Sequence, residues 1–531
     1  MATFLHDFIE TSAQRTPDAV AIHFKQDTLS YHALSEQTSK VAACYQALGL
    51  QRFDRIGVYL AKSFETITSL FAASKVGGVF VPINPVLKAA QVQHIANDCD
   101  IKVLVTNKGR LKSLEGVISS LPSLQHIVVV DGKQEEDRQV EQCHIISWQT
   151  FLNTSGKNAP SLSPKTGTDM AAILYTSGST GKPKGVVLSH QNMVEGAISV
   201  ATYLENTSED VILAVLPLSF DYGLSQLTTS FYVGASCVLL DYLLPKDVLT
   251  TIDKYQITGL AAVPPLYSQL CSLNWPEGSG QSIRYFTNSG GALTLANLST
   301  LRDRMPSASP YLMYGLTEAF RSTYLPPSEV DNRLGSMGKA IPNAEVIVMR
   351  PDGTECDVDE PGELVHIGPL VSLGYWNAPE KTAERFKPVT SKPSGIMLTE
   401  MAVWSGDTVK RDADGYLYFV ARADEMIKSS GYRISPMEVE EVLYQHPNIA
   451  EGAIIGAKHP ELGQAIVAIV QGNGELEKDE LVKSINKHCM RELANFMVPK
   501  RIIVLKDMPH NANGKIDRAN LNREYQHLFT S

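Results

Sequence analysis

The 531-residue sequence has no paired cysteine spacing. Cys44, Cys99, Cys143, Cys237, Cys271, Cys356 and Cys489 are odd in number, scattered, and never arranged as CxxC. That excludes a disulfide framework and a cysteine-built structural zinc site, and points to reduced thiols in a cytoplasmic setting. No apolar run approaches the ~20 residues that span a bilayer. The first residues, Met1-Ala2-Thr3-Phe4-Leu5-His6-Asp7, lack the basic-then-apolar order of a signal peptide. No membrane association is expected. Positive charge is also short: the formal net charge is −10, which argues against a general nucleic-acid surface but not against a local basic pocket.

What is present is centred on Leu174-Tyr175-Thr176-Ser177-Gly178-Ser179-Thr180-Gly181-Lys182-Pro183-Lys184-Gly185. The apolar residues 171–174 before it and 186–188 after it read as strands. Glycines let successive N–H groups turn toward an anion, hydroxyls add hydrogen bonds, and lysines add charge. This is chemistry for holding a polyphosphate. A Walker A loop needs Gly, four residues, then Gly-Lys-Ser/Thr and a helix. Here two residues separate Gly178 from Gly181, and Pro183 follows Lys182, which opposes a helix. A Gly/Ser stretch alone could be a ligandless loop; the Lys-Pro-Lys-Gly ending argues for a phosphate loop between two strands.

Strand–helix alternation predicts a parallel α/β sheet over the first part of the chain. Residues 133–142 are charged and read as an exposed loop, and 155–169 as a linker between two α/β lobes, about 1–165 and 166–339. From 340 to 422 short β runs with tight turns suggest a small β subdomain. Together these form a large N-terminal domain, 1–422. Residues 423–531 read as a smaller α+β C-terminal domain, with a helix near 436–445, strands at 453–457 and 466–470, and a helix over 478–493.

Further motifs recur in order. They are Tyr314-Gly315-Leu316-Thr317-Glu318, Ser405-Gly406-Asp407, Arg422-Ala423-Asp424 and Asn513-Gly514-Lys515-Ile516-Asp517-Arg518. Each alone is a common surface turn. With the phosphate loop, and with Leu29-Ser30-Tyr31, Lys75-Val76-Gly77-Gly78 through Pro82, Gly362-Glu363-Leu364 through Gly374-Tyr375, and Gly431-Tyr432-Arg433, they resemble the adenylate-forming superfamily. That superfamily holds acyl-CoA synthetases, peptide-synthetase adenylation domains and luciferases. The resemblance covers nearly the whole chain. Ala421 stands where the family usually has Gly, and Ser405 where it usually has Thr.

The resemblance implies ATP-dependent activation of a carboxylate to an acyl-adenylate, with release of pyrophosphate, then transfer to a thiol. It implies that residues 176–184, namely Thr176, Ser177, Gly178, Ser179, Thr180, Gly181, Lys182 and Lys184 with Pro183 between, hold the β and γ phosphates. Glu318 would bind Mg2+, Thr317 would touch the α-phosphate, Tyr314 would stack on adenine, and Asp407 and Arg422 would hold the ribose. Lys515 would bridge the attacking carboxylate and the α-phosphate, supplying positive charge where negative charge gathers. Asp424 would be the hinge of a mobile C-terminal domain.

The acid and the thiol remain open at this level. Phe220-Asp221 matches the pattern of amino-acid adenylation domains, where the aspartate pairs with an α-ammonium; facing a fatty chain it would be a buried, unpaired charge. Alternatively, Asp221 caps the following helix. Tyr222, Ser225, Asn288, Ser289 and Gly290 are candidates for the rest of the acid pocket. The chain is also similar to stand-alone proteins that load proline onto carrier proteins. The acceptor is the phosphopantetheine thiol of a separate carrier protein or CoA, and the alternative function is an acyl-CoA synthetase for a fatty, aryl or other small acid. Lys515→Ala is expected to abolish ATP–pyrophosphate exchange while largely sparing thiol transfer from supplied acyl-adenylate, a split that parallel assays of the two half-reactions would read.

Overall fold

The computed structural model describes residues 2–154, 163–176, 183–389, 400–422, 427–429, 432–459, 462–493, 495, 497–512 and 514–529, with the backbone alone for 421, 422, 428, 432 and 433. It is an α/β structure with a large N-terminal part and a smaller α+β C-terminal part.

Three sheets carry it. The first has eight strands in the order Lys184–Ser189, Met170–Thr176, Val79–Pro82, Arg55–Val58, Ile101–Thr106, His126–Val129, Cys143–Ser147 and Arg138–Val140. Its middle strands are parallel and joined through helices such as Phe64–Lys75 and Ala89–Asp98. Such crossovers cover both faces, so the strands read as unbroken apolar runs. The second sheet has fourteen strands. Six run parallel, in the order Val20–Phe24, Ser236–Leu239, Val211–Ala214, Gly259–Ala262, Tyr285–Asn288 and Ser309–Tyr314. Beyond Ser309–Tyr314 it turns antiparallel through Thr323–Leu325 and Ser336–Ala340 into Leu417–Arg422, Met401–Arg411, Gly362–Ile367 and Glu345–Met349.

Between the two large sheets lies the main core, where helix Asp221–Val233 is buried over residues 221–231 and helix Phe64–Lys75 over 66–74. A helix buried all round belongs in such a sandwich. The third sheet, of five strands, pairs Gly463–Gly472 with Ile449–His459 on one side and with Arg501–Leu505 on the other, with helices Pro436–Tyr444 and Lys478–Glu492 closing one face. No helix among the described residues is long and apolar enough to cross a membrane, and the seven cysteines are in the thiol form, outside any disulfide.

Sheet membership crosses the expected division near 165. Val20–Phe24 and Asp27–Ser30 join the second sheet through the register Ile22↔Cys237. Met170–Thr176 and Lys184–Ser189 join the first, through Phe80↔Ala172. Alternation predicts strands but not their partners, which are set by packing far along the chain. Residues 133–142, expected as a loop, contain the exposed edge strand Arg138–Val140, paired with Cys143–Ser147. Charged residues on an edge strand discourage further pairing, so charge here marked an edge and not a loop.

Asp169 fixes the approach to the phosphate hairpin. Its carboxylate accepts from Arg52 Nε at 3.0 Å and Nη2 at 2.5 Å, from the Lys165 N–H and from the Thr166 hydroxyl. Burial pushes this carboxyl up, but those donors outweigh it and bring it down to about 2 from an ordinary 3.8. A depressed carboxyl stabilises the fold fully above its unfolded value, and the contribution disappears as pH falls through the folded one. Asp169→Asn is therefore expected to cost roughly 2 kcal/mol at pH 7 and to flatten the loss of stability between about pH 4 and 2, read from urea midpoints across that range.

Candidate active site

The phosphate hairpin closes with Thr176 opposite Lys184. Ser177, Gly178, Ser179, Thr180, Gly181 and Lys182 lie outside the described residues. Both shoulders are held by helix Ala89–Asp98: the Tyr175 hydroxyl donates to Asp98 Oδ2 at 2.5 Å, and His94 Nε2 lies 3.2 Å from the Pro183 carbonyl. Among the described residues, the Thr176 Oγ1 is buried without a hydrogen-bond partner. An orphaned hydroxyl at the mouth of an anion loop suits a phosphate oxygen.

Beyond Thr176, Lys184 reaches across to the other sheet. Its ammonium donates to Glu318 Oε1 at 3.0 Å and to the Tyr375 hydroxyl at 2.8 Å, and Tyr375 donates in turn to Glu318 Oε1 at 2.6 Å. Burial pushes the Glu318 carboxyl up, but the Lys184 charge and the Tyr375 hydrogen bond hold it below the usual range, so it is ionised. The three bonds thus close a triangle around a charged, largely enclosed carboxylate. The bonds from Lys184 and Tyr375 both fall on Oε1, and an ionised carboxylate held in this way is a ligand type for an oxygen-seeking cation such as Mg2+.

The nucleotide side is built on the strands Ser309–Tyr314 and Met401–Arg411. Tyr314 donates to Asp407 Oδ2 at 2.5 Å, fixing its ring. Asp407 is buried, and its N–H donates to Ser405 Oγ at 3.0 Å while that hydroxyl donates to the Leu364 carbonyl. Serine here serves the turn without the methyl of threonine. Gly406, at φ 72°, occupies the left-handed region, and a Cβ there would strike Arg385. The ladder places Arg422 opposite Asp407; the Arg422 side chain and Asp424 lie outside the description.

On the acid side, Phe220 precedes helix Asp221–Val233. Asp221 is the first residue of that helix, with Phe220 at the N-cap position, and its carboxylate meets the side chains of Arg321 and Thr317. Its Oδ2 accepts from Arg321 Nη1 at 3.0 Å, and Thr317 Oγ1 is 3.5 Å from Oδ1. The expectation of a carboxylate left unpaired by the protein therefore fails: Arg321, which nothing in the sequence singled out, neutralises it. Tyr222 turns its hydroxyl away into the core, onto Thr287. Ser225, Asn288 and Ser289 are buried; the Ser225 Oγ and Asn288 Oδ1 have no partner, while Asn288 Nδ2 donates to the Gly291 carbonyl.

The lysine turn of the C-terminal part docks here. Asn511 and Lys515 clasp each other: Asn511 N–H donates to the Lys515 carbonyl at 2.7 Å, and Lys515 N–H donates to Asn511 Oδ1 at 3.1 Å. Gly514 turns at φ 77°. Asn84 Nδ2 donates to the Ala512 carbonyl at 2.9 Å, bridging the two parts. Lys515 Nζ stands 5.3 Å from the Phe220 ring centroid. It also fills the space over Gly290, where a Cβ would come within 2.5 Å of its Cε. Lys515, Phe220, Asp221, Gly290 and Thr317 thus share one region, with Glu318 and Lys184 beside it.

A sequence profile described as AMP-binding enzyme matches residues 9–376, and one described as AMP-binding enzyme C-terminal domain matches 438–515. One of the mycosubtilin synthase proteins of Bacillus subtilis is 30% identical over 97% of this chain, which spans 19% of that protein. The chain spans only 8% of bacitracin synthase 3 of Bacillus licheniformis, at 27% identity. The long-chain-fatty-acid–CoA ligase of Bacillus subtilis strain 168 is 28% identical over 98% of this chain and 94% of its own length. Among solved structures, the anthranilate CoA ligase AuaEII with anthranoyl-AMP has a TM-score of 0.90 at 25% identity, covering 100% of this chain and 99% of that one. The o-succinylbenzoate CoA synthetase MenE from Bacillus subtilis, with ATP and magnesium ion, has a TM-score of 0.80 at 26% identity, covering 97% of this chain and 99% of that one.

Tyr375 was legible only as part of a matching stretch, without a role. Its hydroxyl both accepts from Lys184 and donates to Glu318. Tyr375→Phe is expected to slow pyrophosphate exchange about 10-fold, the equivalent of one to two hydrogen bonds, with the melting temperature little changed. An unaltered rate would show that the hydroxyl does not organise the pair.

Proposed function

The chain belongs to the AMP-binding enzyme family, and on that premise we propose that it activates an amino acid and transfers it to a thiol. In the first half-reaction a carboxylate oxygen attacks the α-phosphorus of ATP; the bond to the β-phosphate oxygen breaks, and pyrophosphate leaves. Lys515 neutralises the approach of one anion to another. Thr317 adds a hydroxyl to the α-phosphate, and Thr176 and Lys184 bind the β and γ phosphates. Mg2+, held at Glu318, would offset phosphate charge. Tyr314 stacks on adenine, and Asp407 accepts the ribose hydroxyls with Arg422 beside it. In the second half-reaction a thiolate attacks the acyl carbon and AMP leaves. The C-terminal part turns about Asp424 between the two, withdrawing Lys515.

One observation carries the amino-acid reading: Asp221 Oδ1, close to Thr317 and within the region that Lys515 enters, has only a 3.5 Å contact to satisfy it. An α-ammonium is the donor that fits. A fatty chain would leave that oxygen and the orphaned Ser225 and Asn288 groups buried without partners. The thiol of a separate carrier protein is the preferred acceptor, because the Asn513-Gly514-Lys515-Ile516-Asp517-Arg518 turn is adenylation-domain-like. The cysteine thiols support a reducing, cytoplasmic location.

A pyrophosphate-exchange screen of amino, aryl and fatty acids tests the reading. An amino acid is expected to lead, with its deamino analogue at least about 100-fold worse and Asp221→Ala losing a similar factor. Preference for a deamino or fatty acid, unchanged in Asp221→Ala, would contradict it. Thioester formation with CoA and with phosphopantetheinylated carriers separates the acceptors; efficient turnover with CoA alone would reassign the thiol.

A further inference from the structure

Arg321 is 2% exposed, the largest of the fully buried side chains. Its Nη1 donates to Asp221 Oδ2 at 3.0 Å and to the Phe320 carbonyl at 2.7 Å. Among the described residues, its Nε and Nη2 have no hydrogen-bond partner of good geometry. The Tyr222 ring covers the guanidinium at 4.7 Å. The Tyr203 hydroxyl, which donates to Met313 Sδ at 3.0 Å, also interacts with the Arg321 guanidinium, at a geometry too poor to satisfy either Nε or Nη2. Buried guanidinium donors are strongly hydrated in the unfolded chain, so leaving two of them bare is costly unless something else arrives to meet them.

The backbone goes to some length to put Arg321 there. Phe320 sits at φ 56°, ψ −46°, a conformation that a bulky residue rarely adopts. Its ring occupies the space that Gly196 leaves by having no side chain; a Cβ at Gly196 would come within 2.4 Å of it. A strained residue two positions after Glu318, a glycine of helix His190–Tyr203 that makes room for it, and an arginine with spare donors occur together. Strain held in this way is typical of ligand sites.

We propose that Asp221 and Arg321 are the two halves of a recognition site for an acidic amino acid. The ammonium of the substrate donates to Asp221 Oδ1, and the carboxylate that is not being activated accepts from Arg321 Nε and Nη2. This rests on the amino-acid reading above and narrows it. The pair within the protein is neutral. A lone ammonium placed on Asp221 would sit beside the guanidinium with nothing to balance it. A lone second carboxylate would compete with Asp221 for Arg321. A tail or backbone carrying one of each sign matches the pair charge by charge, as fork-like guanidinium recognition of carboxylates favours. Proline, suggested by resemblance, offers its ring to Arg321 and leaves both nitrogens bare. The orphaned Ser225 hydroxyl and Asn288 oxygen supply further polar surface in the same buried region. Either carboxylate of the amino acid could be the one activated; the charge complement is the same.

The test is the exchange rate of wild-type protein with L-glutamate, L-aspartate, L-glutamine, L-proline and glutarate. L-Glutamate or L-aspartate is expected to exceed the other three by at least about 100-fold in kcat/KM. Arg321→Gln is expected to raise KM for the acidic amino acid far more than it lowers kcat, and Arg321→Lys to recover part of the loss. Because Arg321→Gln could fail to fold, the wild-type ranking decides alone. Preference for L-proline or L-glutamine would overturn this inference and leave the amino-acid reading standing. Preference for glutarate, or for any acid without an amine, would overturn both.

Discussion

One contact ties the molecule's two large sheets together at the candidate site. Lys184 is the first residue of a strand in the eight-stranded sheet, and Glu318 follows a strand of the fourteen-stranded one. Tyr375 completes the contact from a segment bridged to Val186. In the proposed function, Lys184 would bring positive charge from one sheet and the Glu318 carboxylate would offer a cation ligand from the other. Inside a largely enclosed site the attraction between Lys184 and Glu318 is stronger than it would be in water, and the same enclosure makes loss of either partner expensive. The hairpin's other anchors, Asp169 on Arg52 and Asp98 on Tyr175, fix where Lys184 starts from.

A second charged pair, Asp221 with Arg321, lies beside Thr317, and in the proposed function it reads the acid. The two pairs differ in kind. In the first, three polar groups satisfy one another around Glu318. In the second, one carboxylate oxygen and two guanidinium nitrogens lack good partners. Satisfied pairs hold a site's shape; unsatisfied ones indicate what it receives. Lys515 arrives over Phe220 and Gly290 from the C-terminal part, on a turn that Asn511 shapes and Asn84 receives.

Much of this was legible in the sequence. The order of glycine, hydroxyl, lysine and carboxylate motifs implied the family and its fold, and the family profile and the solved structures bear that out. The alternation of strands and helices showed parallel sheets, because parallel strands need crossovers. Partnership between strands was not legible: the pairing of Val20–Phe24 with Ser236–Leu239 joins segments more than two hundred residues apart, and no local pattern encodes it. Arg321 was missed for the same reason. It lies in Ala319-Phe320-Arg321-Ser322, which has no period and no motif, and its partner Asp221 is 100 residues away. A charged residue beside apolar neighbours just after the Glu318 motif was the only local sign. The argument that Asp221 would be unpaired failed because sequence shows a charge but not its counter-charge.

The central claim is that Lys184 and Glu318 act as one unit in binding the nucleotide. A double-mutant cycle on the dissociation constant of MgATP tests this directly, using Lys184→Gln, Glu318→Gln and the double variant. The account predicts a coupling energy of about 1–3 kcal/mol, with the double variant much less impaired than the product of the single effects. Single effects that simply add would show two independent residues and contradict it.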